Sequence, residues 1–413
     1  MRPVRPRVLG EAARLRFPRG RGADLAGGPR ADRVRRDGGR GLGAHPGVLR
    51  RRSPQAAPLS RQENGGPGVA KSFGIGIVGT GWVAGAHVDN FRKVAGIEVV
   101  AVCSRSEEGA RRFVGEKQLA NAALFTDLKA FLKHPGLDVV VLATPHPNHP
   151  AETIAAAKAG KHIVIEKPVA LDPAALKKMV AAVNAAGVAT SVCFELRWIG
   201  LFKNIRALLK QGALGNVFHG EVAYNHGCGP WYKQWAWNIK KEMSVSAELT
   251  AGCHAIDALT WFMGRRVVEV QAMKCTSPKN PLQYEYPPNS TALFRFEDGA
   301  TGSVHTSIEC RNPYHFPIVL QGDKGTINYD KVFTLDWPGQ TGWTTIPADL
   351  PDSGKVEHHP YHGQFDHFVD CLRSGKRPEN DLNACAHVHE ICFAIEEAAK
   401  AGRTVKVRRT PGT

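Results

Sequence analysis

From Phe73 onward, short apolar runs alternate with segments of helical character, and this order restricts the fold more than any other feature of the chain. Phe73–Val78 (FGIGIV), Ile97–Cys103 (IEVVAVC), Asp138–Ala143 (DVVVLA) and His162–Ile165 (HIVI) are short and dominated by apolar residues, as strands buried on both faces are. Ala84–Val94, Glu107–Glu116, Asp127–Lys133 and Pro150–Ala159 lie between or after them and are predicted to be helices. Buried strands alternating with helices predict an α/β fold built on a doubly wound parallel sheet of the Rossmann type.

The first strand runs directly into Gly79-Thr80-Gly81-Trp82-Val83-Ala84, a G-x-G-x-x-A turn that leads into a helix. Gly79 allows the tight turn, Gly81 lets backbone approach a pyrophosphate, and Ala84 lets helix and strand pack closely. The helix N-terminus adds N–H donors and the positive end of a dipole. Strand, turn, helix and second strand follow in the required order, so a dinucleotide site is predicted, with Gly79, Gly81, Trp82 and Ala84 as its first residues. Where an acid after the second strand would bind the ribose hydroxyls of NAD, the chain has Ser104-Arg105-Ser106. Two hydroxyls and a guanidinium suit a 2′-phosphate, so NAD(P) is expected with Ser104 and Arg105 favouring NADP; the alternative leaves Arg105 stacked on adenine or facing water with NAD bound.

Two further motifs follow parallel strands at their carboxyl ends, where a cofactor's reactive ring lies. They are Ala143-Thr144-Pro145-His146-Pro147-Asn148-His149 and Glu166-Lys167-Pro168. The set G-x-G-x-x-A, A-T-P-x-x-x-H and G-K-H-I-V-I-E-K-P resembles the Gfo/Idh/MocA oxidoreductase family over roughly residues 72–407. The resemblance implies a nucleotide domain (71–190) followed by a substrate-binding and oligomerisation α/β domain (191–413) with an open, largely antiparallel sheet. Independently, Val217–Tyr224, Val267–Cys275, Thr291–Phe296, Ala300–Ile308, Pro317–Gln321 and Thr326–Tyr329 are predicted strands, and Gln364–Leu372 and Ala384–Ala399 predicted helices. By resemblance the open sheet packs against another copy, giving a homodimer or homotetramer.

The resemblance also implies residue roles. Lys167 is placed beside the nicotinamide and the substrate hydroxyl, where an ammonium steadies a developing alkoxide. Glu166, Thr144 and Pro145 match cofactor-contacting positions, and His149 is either a cofactor neighbour or structural. Thr250-Ala251-Gly252-Cys253-His254-Ala255-Ile256-Asp257 resembles the family's D-x-G-x-H-x-x-D helix, whose His is the general base. His254 takes that role here, and Asp257 is catalytic, an orienting group for the imidazole, or structural. Thr250 stands where the family often has Asp, which removes a carboxylate from the substrate site; Glu248 is a candidate replacement.

Trp198, Trp231, Trp235 and Trp237 lie among polar side chains near this helix. Flat rings suit the C–H face of a sugar, so these Trp are substrate-binding candidates, with core or subunit-interface packing as the alternative. The leading expectation is an NAD(P)-dependent oxidoreductase that moves hydride between nicotinamide and a secondary hydroxyl or ketone of a sugar, sugar derivative or polyol. A rival is a glycoside-cleaving enzyme that recycles tightly bound NAD(H), and a third reading is a nucleotide-binding sensor without turnover.

Charge changes little in this picture. The chain carries +16, but residues 1–70 hold sixteen Arg, no Lys and five acids and account for +11 of it. This Arg/Gly/Pro-rich segment has no amphipathic period and is read as a disordered extension or a start-site artefact. With the excess confined there, neither a nucleic-acid partner nor a membrane partner is expected. Nine Cys without a C-x-x-C pair fit a reducing cytoplasm. His358, His359, His362 and His367 are read as loop histidines, and no metal is expected.

Overall fold

The computed structural model describes residues 72–351 and 360–413, so the expectations for residues 1–70, and those for His358 and His359, fall outside the described residues. The first sheet is six-stranded and wholly parallel, in the order β3-β2-β1-β4-β5-β6. Its members are β1 (Phe73–Val78), β2 (Ile97–Cys103), β3 (Ala123–Phe125), β4 (Val139–Leu142), β5 (His162–Ile165) and β6 (Thr190–Val192). The four apolar runs are the four inner strands, with Ile75, Ile77, Val139, Val141, Ile163 and Ile165 sealed from solvent. At β3 the three residues Ala-Leu-Phe are only partly buried at the sheet edge, too short for a periodic signal.

The second sheet has nine strands in the order β14-β13-β12-β11-β7-β10-β9-β8-β15. They are β7 (Val217–Asn225), β8 (Val267–Cys275), β9 (Asn289–Phe296), β10 (Thr301–Ser307), β11 (Ile318–Gly322), β12 (Gly325–Asn328), β13 (Lys331–Thr334), β14 (Thr344–Thr345) and β15 (Val405–Lys406). β7 pairs with β10 in parallel, and the other neighbours run antiparallel. Burial alternates strictly along β9, so one face is covered and the other is open. The helices Cys253–Met263 and Leu382–Ala401 cover that face.

Local chemistry sets the helix ends. Ser106, Asp127, Asp172 and Asp381 each accept a hydrogen bond from a backbone N–H one turn inside their helix, at 2.7 to 3.1 Å. The helix Trp82–Phe91 is different: its N-cap is Gly81, with no side-chain cap and no acid in the first turn. It begins two residues earlier than its apolar period suggests, directly after Gly81, whose own backbone is still extended.

The late helix Tyr361–Ser374 returns to the first sheet. Phe365 stacks on Phe91 with ring centroids 3.8 Å apart, and Tyr361, Phe368 and Val369 share a core with β1 and the Trp82–Phe91 helix. The Leu382–Ala401 helix in turn reaches both sheets, through β6 and β8. His389 Nε2 accepts the Val169 N–H at 3.0 Å, and the Asn380 carbonyl accepts the Val192 N–H at 2.8 Å. Among the described residues no helix is long and apolar enough to cross a membrane.

Gly79 has φ +99, and a Cβ there would meet the Ala143 carbonyl oxygen at 2.4 Å. Gly136 has φ +80 but faces open space. Gly136→Ala is therefore expected to cost only the left-handed conformation, about 1–2 kcal/mol. Gly79→Ala should cost clearly more, because β4 must also move. Urea denaturation of the two variants checks this, and equal losses would contradict it.

Candidate active site

The carboxyl ends of the first sheet's strands and the covered face of the second enclose a cavity of about 760 Å³. Its wall includes Gly79, Gly81, Trp82, Ser104, Arg105, Thr144, Pro145, Glu166, Lys167, Thr250, His254 and Trp237. These predicted residues come from six separate stretches of sequence, and the fold brings them to one place.

A dinucleotide fits the geometry at the glycine turn. A Cβ at Gly81 would have no atom within 4 Å, so this backbone faces open space. The Trp82–Phe91 helix offers its first N–H groups uncapped toward the same side. Further along, Thr80 Oγ1 and Ser104 Oγ are 3.2 Å apart, with Arg105 and Arg112 on the cavity wall beyond them. Thr144 donates its hydroxyl to Glu152 at 2.6 Å, which fixes the loop after β4.

At the other end stands a buried acid–base set. Glu166 Oε1 bonds His87 Nε2 at 2.8 Å, and the Tyr361 hydroxyl donates to the same oxygen at 3.4 Å. Burial pushes the Glu166 carboxyl up, but the His87 hydrogen bond and the charges of His87 and Lys167 outweigh it and hold it below its ordinary range. The Cys193 sulfur lies within 4.8 Å of the His87 and Glu166 donor atoms; the direct hydrogen bond makes this a bonded pair backed by a thiol.

Lys167 follows at the end of β5, and its peptide bond to Pro168 is cis. Its ammonium donates to the Thr250 carbonyl at 3.1 Å. Burial opposes the charge, yet the anionic forms of Cys253, Tyr232, Glu166 and Glu195 favour it, and Lys167 stays above its ordinary value. Cys253 and Tyr232 are themselves pushed up to about 12, so the anion that acts on Lys167 at neutral pH is Glu166.

Thr250 belongs to a π-helical turn, Glu248–Gly252, that runs into the Cys253–Met263 helix. The wide turn lays Gly252 against β10, where a Cβ would meet Thr306 Oγ1 at 2.3 Å, and leaves the Thr250 carbonyl directed at Lys167. His254 is 5 % exposed and opens onto the cavity, with its ring 6.0 Å from Tyr224 in a stacked arrangement.

Several expected residues stand elsewhere. Asp257 is one turn beyond His254, but its two oxygens are held by Arg197 at 2.5 and 2.8 Å, away from the cavity wall. Glu248 is paired with Lys274 at 2.8 Å behind the π-turn, with Glu396 on the same ammonium, so it does not replace the missing carboxylate. His149 spends both ring nitrogens on backbone, Pro168 O at 2.8 Å and Thr144 O at 2.9 Å, and braces the two cofactor loops from behind. Ala84 is buried in the first turn of the Trp82–Phe91 helix, the close-packing role its small side chain suits.

Of the four substrate-candidate Trp, Trp237 reaches the cavity, with its ring edge-on to His146 at 4.9 Å. Trp198 packs on His367 and Gly363, Trp235 donates to the Leu282 carbonyl, and Trp231 lies 62 % exposed under Arg311. Spacing along a loop could not separate one inward ring from three that pack elsewhere. His362 pairs with Asp366 at 3.1 Å and His367 accepts the Glu379 N–H at 3.1 Å, so these two do not converge.

The wall also contains Glu195, Tyr224, Tyr361 and His146, which sequence reasoning did not assign. Glu195 follows β6, and position after a parallel strand was the available signal.

Fold and site together define a nucleotide-dependent oxidoreductase, and comparison with known proteins agrees. The family model described as "Oxidoreductase family, NAD-binding Rossmann fold" matches residues 73–194, and the GFO/IDH/MocA C-terminal domain model matches residues 202–328. The chain belongs to the Gfo/Idh/MocA family of oxidoreductases. Relatives include a D-apiose dehydrogenase of Paraburkholderia graminis, 25 % identical over 82 % of this chain and 90 % of its own length. Inositol 2-dehydrogenase 3 of Saccharopolyspora erythraea is 24 % identical over 81 % of this chain and 95 % of its own. A levoglucosan dehydrogenase solved in complex with NADH superposes with TM-score 0.73 at 22 % identity, covering 82 % of this chain and 100 % of that one, which shows the shared fold.

The Arg197–Asp257 pair sits beneath the His254 helix with both side chains about 5 % exposed. Asp257→Asn should strand a buried guanidinium and cost about 3–5 kcal/mol, whereas replacing both partners by apolar residues of similar volume should recover most of it. Urea denaturation at neutral pH of the single and double variants checks this expectation.

Proposed function

We propose that this protein is an NAD(P)-dependent dehydrogenase of a sugar, sugar derivative or polyol, acting on a secondary hydroxyl or the corresponding ketone. The observation that carries the reading is that Lys167 and His254 open onto one cavity whose far end is the uncapped glycine turn. The relatives named for apiose and inositol oxidation support the substrate class.

A nicotinamide dinucleotide would be held by Gly79, Gly81 and the first turn of the following helix, and would supply the hydride acceptor or donor. The protein's own groups manage the oxygen. Lys167, kept charged by Glu166, stabilises negative charge on the substrate oxygen as an alcohol loses its proton. His254 takes that proton in oxidation and returns it in reduction. Tyr224 stacks on the imidazole, and Trp237 offers a flat apolar face for the sugar ring.

Ser104 and Arg105 support a preference for NADP, and nine free cysteines suit the cytoplasm. The open face of the second sheet exposes Leu293 and Met273, 56 % and 75 % accessible, which favours pairing with a second copy into a homodimer or homotetramer.

Lys167→Ala and His254→Asn are each expected to lower turnover by about 10²- to 10⁴-fold while leaving the melting temperature near that of the parent. Sugars, polyols and glycosides are assayed together for NAD(P)H absorbance and for released aglycone. Aglycone without net NAD(P)H would establish the redox-recycling glycosidase instead, and neither signal would leave a sensor. Dissociation constants for NADH and NADPH test the second expectation: NADPH should bind more tightly, and Arg105→Ala should narrow the difference. A clear NADH preference in the parent protein overturns it.

A further inference from the structure

Charge is distributed unevenly over the cavity wall. Its three acids, Glu152, Glu166 and Glu195, all follow strands of the first sheet, and among the described residues no Asp or Glu later in the chain reaches the wall. Glu152 accepts the Thr144 hydroxyl, and Glu166 and Glu195 both act on Lys167. The wall has four basic residues: Arg105 and Arg112 at the nucleotide end, Lys167, and Lys233. Lys233 lies in the segment between β7 and the π-turn. Tyr232 before it is within electrostatic reach of Lys167, and Trp237 after it packs on His146, so this stretch belongs to the Lys167 end of the cavity. Lys240, further along, is paired with Glu285 at 2.7 Å, whereas Lys233 is exposed and has no ion-pair partner among the described residues.

The amides beside this lysine turn their oxygens inward. Gln234 and Asn238 are one helical turn apart, with the Asn238 N–H bonding the Gln234 carbonyl at 3.0 Å, so their side chains share a face. Both line the cavity. The Tyr232 hydroxyl donates to Gln234 Oε1 at 3.4 Å and the Ser244 hydroxyl to Asn238 Oδ1 at 3.4 Å. What each amide keeps for a ligand is its NH2 group. Thr250 adds no charge where the family often has Asp. Tyr286 gives its one proton to the Asn238 carbonyl at 2.6 Å, so Thr250, 3.3 Å from the same phenol oxygen, donates to it. A hydroxyl both donates and accepts, and a row of hydroxyls calls for acceptors as well as donors; an ionised carboxylate only accepts. An ammonium without a counter-ion, two NH2 groups and no opposing acid match the carboxylate, and such charge-assisted bonds are the stronger kind.

We propose that the substrate is a sugar acid, with Lys233, Gln234 and Asn238 forming the subsite for its carboxylate while Lys167 and His254 act on a hydroxyl elsewhere on the same molecule. The inference rests on the dehydrogenase reading and narrows its substrate class. One lysine and two amides suit a planar carboxylate of single charge. A phosphate dianion calls for a second cation or an arginine fork, and both arginines of the wall stand at the nucleotide end. The carboxylate orients the substrate and takes no part in the hydride transfer.

The test uses the full chain with NAD(P) and a panel of aldonates, uronates and aldarates of the common hexoses and pentoses. Each acid is paired with its neutral sugar or alditol, and the hexose 6-phosphates are included. Melting temperature reports binding and NAD(P)H absorbance reports turnover. At least one acid should raise the melting temperature more than its neutral partner does, and should be turned over with a kcat/KM about tenfold or more above it. Lys233→Met and Gln234→Glu should each lower that acid-to-neutral ratio about tenfold, through a higher KM for the acid. Acids that bind no better than their neutral partners, a phosphate ester that binds better than every acid, or an acid response that survives both substitutions overturns the subsite. So does a weaker Kd for NADH in Lys233→Met without substrate, which would assign the lysine to the cofactor's pyrophosphate. An acid that raises the melting temperature through Lys233 yet yields no NAD(P)H upholds the carboxylate subsite and refutes the dehydrogenase reading, so the two failures are distinct.

Discussion

The ammonium of Lys167 spans from one half of the molecule to the other at the place where chemistry is expected. It rises from the end of β5 in the parallel sheet and bonds a carbonyl of the π-turn that belongs to the second domain. Burial opposes the charge that strengthens this contact, and Glu166 favours it from close range. Glu166 in turn is governed by His87, which stands on the helix that the glycine turn begins. The helix after the nucleotide turn, the lysine and the second domain are thus joined in sequence by His87, Glu166, Lys167 and the Thr250 carbonyl.

A second buried ionic arrangement supports this chain from behind. Arg197 grips Asp257 in the helix that carries His254, and Lys274 grips Glu248 at the start of the π-turn. Each pair fixes one end of the segment that presents Thr250 and His254 to the cavity. Buried pairs of this kind contribute little net stability compared with apolar packing, but leaving one partner alone is expensive. They suit a segment whose position matters more than its stability.

The sheets were legible because their signals are local. Runs such as IEVVAVC and DVVVLA are apolar but for one acid near the start, and β2 and β8 have the ends their sequences suggest. β3, β13 and β14 were not legible, being two to four residues long and ordered by their neighbours. The same division holds in the site. Gly79, Glu166 and Lys167 sit where motif and strand end coincide. The direction of Trp237 and the partner of Asp257 depend on residues sixty or more positions away, and no short window of sequence contains both members of those pairs.

The return of the Tyr361–Ser374 helix to the first sheet has a consequence for how the molecule can be divided. Phe365 is the ring on which Phe91 rests, and Tyr361 reaches the carboxylate of Glu166. A fragment ending near Phe194 would contain every glycine and strand of the nucleotide fold yet leave that apolar seam open to water. The nucleotide-binding half therefore has a boundary in space that includes chain from the far end of the sequence.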